Sequence, residues 1–229
     1  MLFQRNFAFY KRPHDLPYGR TAFIRATKKG PVIGLTGQTG AGKSTAAALL
    51  RAQGLAVIDA DEIARKVTRP GSFVLSALAA AFGADLILPD GSLNRPLLAQ
   101  RAFSSPGQTA RLNAITHPAI IQQMRAETAC AFQNEAKAVV LDAPQLFESG
   151  ENRACDFIIA VVAPEELRIK RIMQRDQISE ESARLRVNAQ KSETYYKEHA
   201  DFLVRNYPPF DLQQELEPVW ARIRFTEEA

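Results

Sequence analysis

The chain has 229 residues, of which 46% are hydrophobic and 24% charged, a balance that belongs to ordinary folded domains and excludes collagen-like repeats, low-complexity scaffolds and long disorder. At roughly 150 residues per domain, this length fits one large domain or one domain carrying an insertion. The net charge of +4 invites a nucleic-acid reading until it is located: residues 1–30 hold Arg5, Lys11, Arg12, Arg20, Arg25, Lys28 and Lys29 against Asp15 alone, so the remaining chain is slightly acidic.

Residues 1–30 have no continuous apolar stretch and no small-residue cleavage site, which argues against a secretory signal. They contain no serine, and Pro13 and Pro17 would interrupt an amphipathic transit helix. The expectation is a flexible basic extension or an upstream start codon. The longest apolar runs, Ala138 to Leu141 and Phe157 to Ala163, fall far short of the roughly 20 residues of a membrane span. Cys130 and Cys155 make neither a disulfide framework nor a metal cluster, and read as buried, reduced thiols in a cytosolic protein.

After Gly30-Pro31 the run Val32-Ile33-Gly34-Leu35-Thr36 predicts a buried strand, and a glycine-rich turn follows. From Lys43 a helix-forming stretch runs to Gly54, and Ala56-Val57-Ile58-Asp59 gives a second strand. Strand, helix and strand within about 30 residues are the βαβ unit of a parallel sheet. Helices are predicted over Ala60–Val67, Phe73–Phe82, Arg95–Phe103, Ala110–Ile115 and Pro118–Phe132, with a bend at Leu88-Pro89-Asp90-Gly91. Strands follow at Ala138–Asp142 and Phe157–Val162, with a weaker one at Phe202–Val204; runs this continuously apolar suit a sheet covered on both faces. The long helical stretch between the second and third strands reads as a substrate-gripping insertion.

Gly37-Gln38-Thr39-Gly40-Ala41-Gly42-Lys43-Ser44 matches G-x-x-x-x-G-K-[ST] between a predicted strand and a predicted helix, the context that a phosphate-binding loop requires. Its glycines let backbone N–H groups converge on an anion, and the helix start adds its positive end. In such a loop Lys43 reaches the β- and γ-phosphates of ATP and the Ser44 hydroxyl ligates Mg²⁺. Asp59 and Asp61 end the second strand, where a carboxylate can take a proton from an attacking hydroxyl. Asp61 fits equally well as the N-cap of the helix that follows, and the residues alone leave both readings open. Asp142 closes the third strand, the usual place for the acid that holds Mg²⁺ directly or through water. Asp142-Ala143-Pro144-Gln145 lacks the glycine of a D-x-x-G switch and no N-K-x-D occurs, which disfavours a GTPase. Beyond Pro164 another helix is predicted, with Arg168, Arg171 and Arg175 along one stripe, either a solvated face or a lid over ATP. His117, ahead of Pro118 at a predicted helix start, reads as structural on composition alone.

With these residues in place the sequence resembles the dephospho-coenzyme A kinase family over about 32–207. The resemblance rests on Ile33 to Gly37, Val57-Ile58-Asp59-Ala60-Asp61 with Ile63-Ala64-Arg65, Phe82-Gly83 and Asp90-Gly91-Ser92-Leu93-Asn94-Arg95. It continues through His117-Pro118, Phe147-Glu148, Arg171 to Asp176, Ala189-Gln190 and Ala200-Asp201 to Asn206. It implies an α/β fold, a P-loop NTPase-type parallel sheet flanked by helices, over residues 31–229. The core would comprise 31–60, 136–164 and 200–229, with a helical CoA-binding insertion at about 61–135 and a helical lid at about 165–199.

It further implies that Asp61 is the base for the ribose 3′-hydroxyl of dephospho-CoA. ATP would be held by Thr36, Gly37, Gln38, Thr39, Gly40, Ala41, Gly42, Lys43, Ser44, Thr45, Arg171 and Asn206. Mg²⁺ would be held by Ser44 and Asp142, and Arg171 and Arg175 would act as lid arginines. Arg65, Arg95 and His117 match substrate-side positions. Gln38-Thr39 stands where the family has Gly-Ile, Ala41 where serine is common, and Gln145 interrupts a usual Pro-Leu-Leu-Phe-Glu. The implied activity is phosphorylation of dephospho-CoA by a cytoplasmic monomer without nucleic-acid or membrane partners. The rivals are a kinase for another small hydroxyl acceptor, such as a nucleoside or sugar acid, and a non-catalytic nucleotide-binding module.

Overall fold

The computed structural model describes residues 30–227, so the basic N-terminal segment lies outside the described residues. Five strands form one parallel sheet: β1 (Val32–Gly37), β2 (Ala56–Asp59), β3 (Val139–Asp142), β4 (Phe157–Val162) and β5 (Phe202–Arg205), in the order β2-β3-β1-β4-β5. Every pairing is parallel, and the register sets Leu35 beside Asp142 and Asp59 beside Asp142. The carboxyl ends of β1, β2 and β3 therefore meet at one edge, with β1 in the middle of the sheet feeding the glycine-rich loop. β1, β3 and β4 are buried at every position, as their largely apolar sequences require, with Thr36 and Asp142 the buried polar side chains at the ends of β1 and β3.

The helices are α1 (Lys43–Ala52), α2 (Ala60–Val67), α3 (Phe73–Phe82), α4 (Arg95–Ala102), α5 (Pro106–Gln133), α6 (Glu165–Asp176), α7 (Glu180–Asn188), α8 (Glu193–His199) and α9 (Leu212–Glu227). Side chains of a strand alternate between faces, and the core divides accordingly. Ile33, Leu35, Val140, Ile159 and Val161 pack with Leu50 of α1 and Leu216 and Val219 of α9. Val32, Val139, Leu141, Ile158 and Ala160 pack on the opposite face with Ile63 of α2, Met124 and Phe132 of α5 and Tyr196 of α8. The stretch between β2 and β3 builds its own apolar cluster from Leu75, Leu78, Phe82, Leu86 and Leu98. Ile169 and Ile172 of α6 close a fourth cluster with Ala183 and Val187 of α7.

The structure corrects the burial of one thiol, since Cys155 is buried but Cys130, on α5, is exposed, and it corrects the helix pattern at one place. Ala110–Ile115 and Pro118–Phe132 are parts of a single 28-residue helix, α5, with Pro118 inside it. Proline removes one i→i−4 hydrogen bond, and the carbonyl that loses its donor belongs to Ala114, an exposed residue that water can reach. His117 thus lies mid-helix and not at a helix start.

Candidate active site

The glycine-rich loop is shaped by backbone that only glycine adopts without strain. Gly40 has φ 75° and Gly42 φ 95°, both left-handed. A side chain at Gly42 would collide with the Asn206 amide, and one at Gly40 would come within 2.7 Å of the Arg168 carbonyl oxygen. α1 starts directly behind Gly42 with neither a side-chain cap nor an acid in its first turn. Its first N–H groups and positive dipole end are left to an anion.

Around this loop stand groups from four distant segments. Lys43 reaches across to Asp142 at the end of β3 and its ammonium contacts the carboxylate directly. Asp142 is buried, and desolvation raises its carboxyl above the usual range, opposed by Lys43 and reinforced by the nearby Asp59 and Asp61. Arg171 of α6 donates from Nη1 to the carbonyls of Gly40 and Ala41, both at 3.3 Å, and from Nη2 to that of Asn206 at 3.0 Å. Asn206, after β5, donates its amide to Ala41 O at 2.8 Å. α6, loop and β5 are thereby fastened at one point. Gln190 adds a second fastening, its Oε1 accepting from Thr39 N–H at 2.6 Å. Thr36 is fully buried, and its hydroxyl donates to Pro144 O at 3.2 Å. Ser44 and Thr45 are exposed on the first turn of α1.

At Asp61 the structure separates two roles that the sequence left entangled. Asp59 is the N-cap of α2, its carboxylate accepting from the N–H groups of Asp61 at 2.8 Å and Glu62 at 3.1 Å. Asp61 sits in the first helical turn with an exposed side chain, so its carboxylate is not consumed by capping. Arg65 lies four residues on, along the same face of α2. Arg95, the first residue of α4, donates from Nη2 to Thr68 Oγ1 at 2.9 Å, tying α4 to the C-cap of α2. His117 is half-buried on α5, which packs against α2.

Arg175 is not brought to the loop. Its guanidinium pairs bidentately with its neighbour Asp176, at 2.7 and 2.9 Å, and Arg186 engages the same carboxylate. That pairing raises the Arg175 pKa and lowers that of Asp176. Helical spacing alone gave no sign of this, nor of Gln190, which meets Thr39 across 151 residues.

A phosphate-binding loop, an exposed carboxylate and one arginine, Arg171, gripping the loop form the constellation of a phosphoryl-transfer site. The dephospho-CoA kinase (CoaE) family model matches residues 31–209. The chain belongs to the dephospho-CoA kinase family. Its relatives include the dephospho-CoA kinase of Corynebacterium diphtheriae, 43% identical over 192 residues, covering 83% of this chain and 96% of that protein. The Arabidopsis thaliana dephospho-CoA kinase is 38% identical over 194 residues, covering 84% of each. Among solved structures, TT1252 from Thermus thermophilus superposes with a TM-score of 0.74 at 33% identity, covering 85% of this chain and 98% of that one. The dephospho-CoA kinase from Campylobacter jejuni gives 0.56 at 26% identity, covering 84% and 97%. The family carries out the last step of coenzyme A synthesis, a phosphate transfer to a hydroxyl for which ATP is the co-substrate. No helix among the described residues is long and apolar enough to cross a membrane.

Proposed function

We propose that this chain transfers the γ-phosphoryl group of ATP to the ribose 3′-hydroxyl of dephospho-CoA, giving CoA and ADP, with Asp61 as the base. The observation that carries the assignment of Asp61 is its freedom: Asp59 caps α2 and leaves the Asp61 carboxylate exposed, close enough to Asp142 to raise that carboxyl's pKa. In-line transfer needs position and charge neutralisation more than covalent chemistry. Lys43 and the first turn of α1 bind the phosphates. Arg171 and Asn206 hold the loop in its left-handed turns, so the donor groups need no reorganisation when the reaction occurs. Arg65 on α2, Arg95 on α4 and His117 on α5 bind the acceptor's anionic parts, and Thr36 supports the loop from β1.

The residues present fit a magnesium ion. Mg²⁺ prefers oxygen ligands, takes few from the protein, and draws the rest from water and phosphates. Ser44 offers a hydroxyl on the loop helix and Asp142 a carboxylate at the strand end. When bound there, the ion would neutralise charge on the β- and γ-phosphate oxygens. The Lys43 contact keeps Asp142 ionised against its desolvation until substrate draws the ammonium away. We place the protein in the cytoplasm, where ATP and the acceptor are available.

The test is coupled ADP detection across an acceptor panel. ADP release that depends on dephospho-CoA, with nucleosides and sugar acids inert, supports the reading; equal release with any other hydroxyl acceptor overturns it.

A further inference from the structure

Two polar side chains behind the phosphate loop are buried in a way that neither loop nor lid explains by itself. Gln38, the second residue of the loop, is 4% exposed, and its side-chain Oε1 has no hydrogen-bond partner. Arg168, in the first turn of α6, is 5% exposed; its Nε donates to the Ala163 carbonyl at 3.0 Å, while Nη1 has no partner. Both residues line the same cavity of about 380 Å³, bounded by the loop on one side and on the other by α6, by Asn188 at the end of α7 and by Gln190 and Lys191 beyond it. A buried carbonyl oxygen without a donor and a buried guanidinium N–H without an acceptor are each unfavourable. One contact satisfies both, because the first is an acceptor and the second a charged donor.

The surroundings restrict how that contact forms. The main chain of Arg168 already rests against Gly40, so the start of α6 cannot slide freely along the loop. Gln190 already holds Thr39 N–H. Gln38 itself is fixed at its backbone, where its N–H donates to the Val161 carbonyl at 3.1 Å. What remains adjustable is the side-chain gap across the cavity.

We propose that Gln38 and Arg168 are positioning residues for the phosphate loop, their side chains joining across the cavity as an amide–guanidinium pair when nucleotide occupies the loop. The inference rests on the loop being the nucleotide site and does not depend on the identity of the acceptor. It also gives Gln38 a purpose, since its amide supplies the acceptor that the Arg168 fork needs. The lid helix then distributes its arginines: Arg168 braces the loop from behind, Arg171 grips its carbonyls, and Arg175 binds Asp176. Burial also lowers the Arg168 pKa, the direction expected of a guanidinium short of partners.

The test is a double-mutant cycle in the full chain with Arg168→Met, Gln38→Met and the double variant, read by ADP calorimetry and by thermal melting with and without ADP. Each single variant is expected to weaken ADP binding about tenfold, the size of a charge-assisted hydrogen bond, and the double variant to lose no more than the weaker single. Nucleotide-free melting of Gln38→Met should stay level or rise, because the change removes a buried atom that lacks a partner, whereas Arg168→Met also loses the Nε bond to the Ala163 carbonyl and should fall slightly, by less than the ADP complex does. Arg168→Gln, which keeps a donor on a shorter arm, should fall between wild type and Arg168→Met. Losses that multiply in the double variant, or a fall in nucleotide-free melting equal to that of the ADP complex, would overturn the pairing. Failure of the wild-type chain to bind ADP would instead strike at the reading of the loop as a nucleotide site.

Discussion

Replacing Asp61 by asparagine keeps the shape of the site and removes one thing, the proton acceptor. The Asp61 N–H is held by the Asp59 carboxylate at 2.8 Å, and that bond does not involve the side chain being changed. The helix start should therefore survive, with only the favourable charge in the first turn of α2 lost, a cost of about 0.3–1 kcal/mol. For a chain of this size that moves the melting temperature by at most about 4 °C. The catalytic cost is larger. A positioned general base contributes about 10²–10⁴ in rate, or about 3–5 kcal/mol of barrier. Asp61→Asn should thus lower kcat with dephospho-CoA by at least about a hundredfold while leaving ADP affinity within about threefold. Coupled ADP release and calorimetry measure the two quantities on one preparation. Turnover within about threefold of wild type would refute the assignment, and equal losses of kcat and ADP affinity would show that Asp61 organises the loop and is not the base.

The remaining expectations concern the loop, the lid and the Asp142 pair. Gly42→Ala forces a side chain into left-handed backbone and onto the Asn206 amide, so melting should fall by the equivalent of about 1–3 kcal/mol and ADP binding should be lost; undiminished binding in calorimetry would contradict the loop geometry. Arg171→Ala breaks three contacts to loop and β5 carbonyls and should cost at least about tenfold in kcat/KM for ATP. Arg175→Ala, whose partner is Asp176, should cost less; the reverse order in steady-state kinetics would show that Arg175 leaves Asp176 during turnover. Burial raises the Asp142 carboxyl above 3.8, so the folded chain holds that proton to higher pH than the unfolded one. The group's contribution to stability is then present in acid and lost as pH rises through the folded value, and Asp142→Asn should flatten that part of the melting profile. An unchanged slope would mean that Lys43 fully offsets the desolvation.

Much of this architecture is legible in the sequence because the relevant signals are local. Val32–Leu35, Val139–Leu141 and Phe157–Val162 are apolar runs that suit a doubly covered sheet, and the phosphate loop is eight consecutive residues. The misreadings arise where a local rule has two outcomes. Pro118 reads as a helix boundary, yet a long helix tolerates it because the orphaned Ala114 carbonyl faces water. Asp59 and Asp61 are both capping residues by type, and only the helix start at Ala60 decides between them. The arginine stripe shows the limit most clearly. Spacing places Arg168, Arg171 and Arg175 on one helix, but their destinations, a cavity, two loop carbonyls and an adjacent aspartate, depend on groups brought near by the fold.

The central claim is the destination of the phosphoryl group. Incubating the protein with ATP, Mg²⁺ and dephospho-CoA and following the product by ³¹P NMR tests it directly. The account predicts a new phosphomonoester resonance coupled to the ribose 3′ proton, growing in step with ADP. Phosphate released to solvent, or a monoester at any other position of the acceptor, would contradict it.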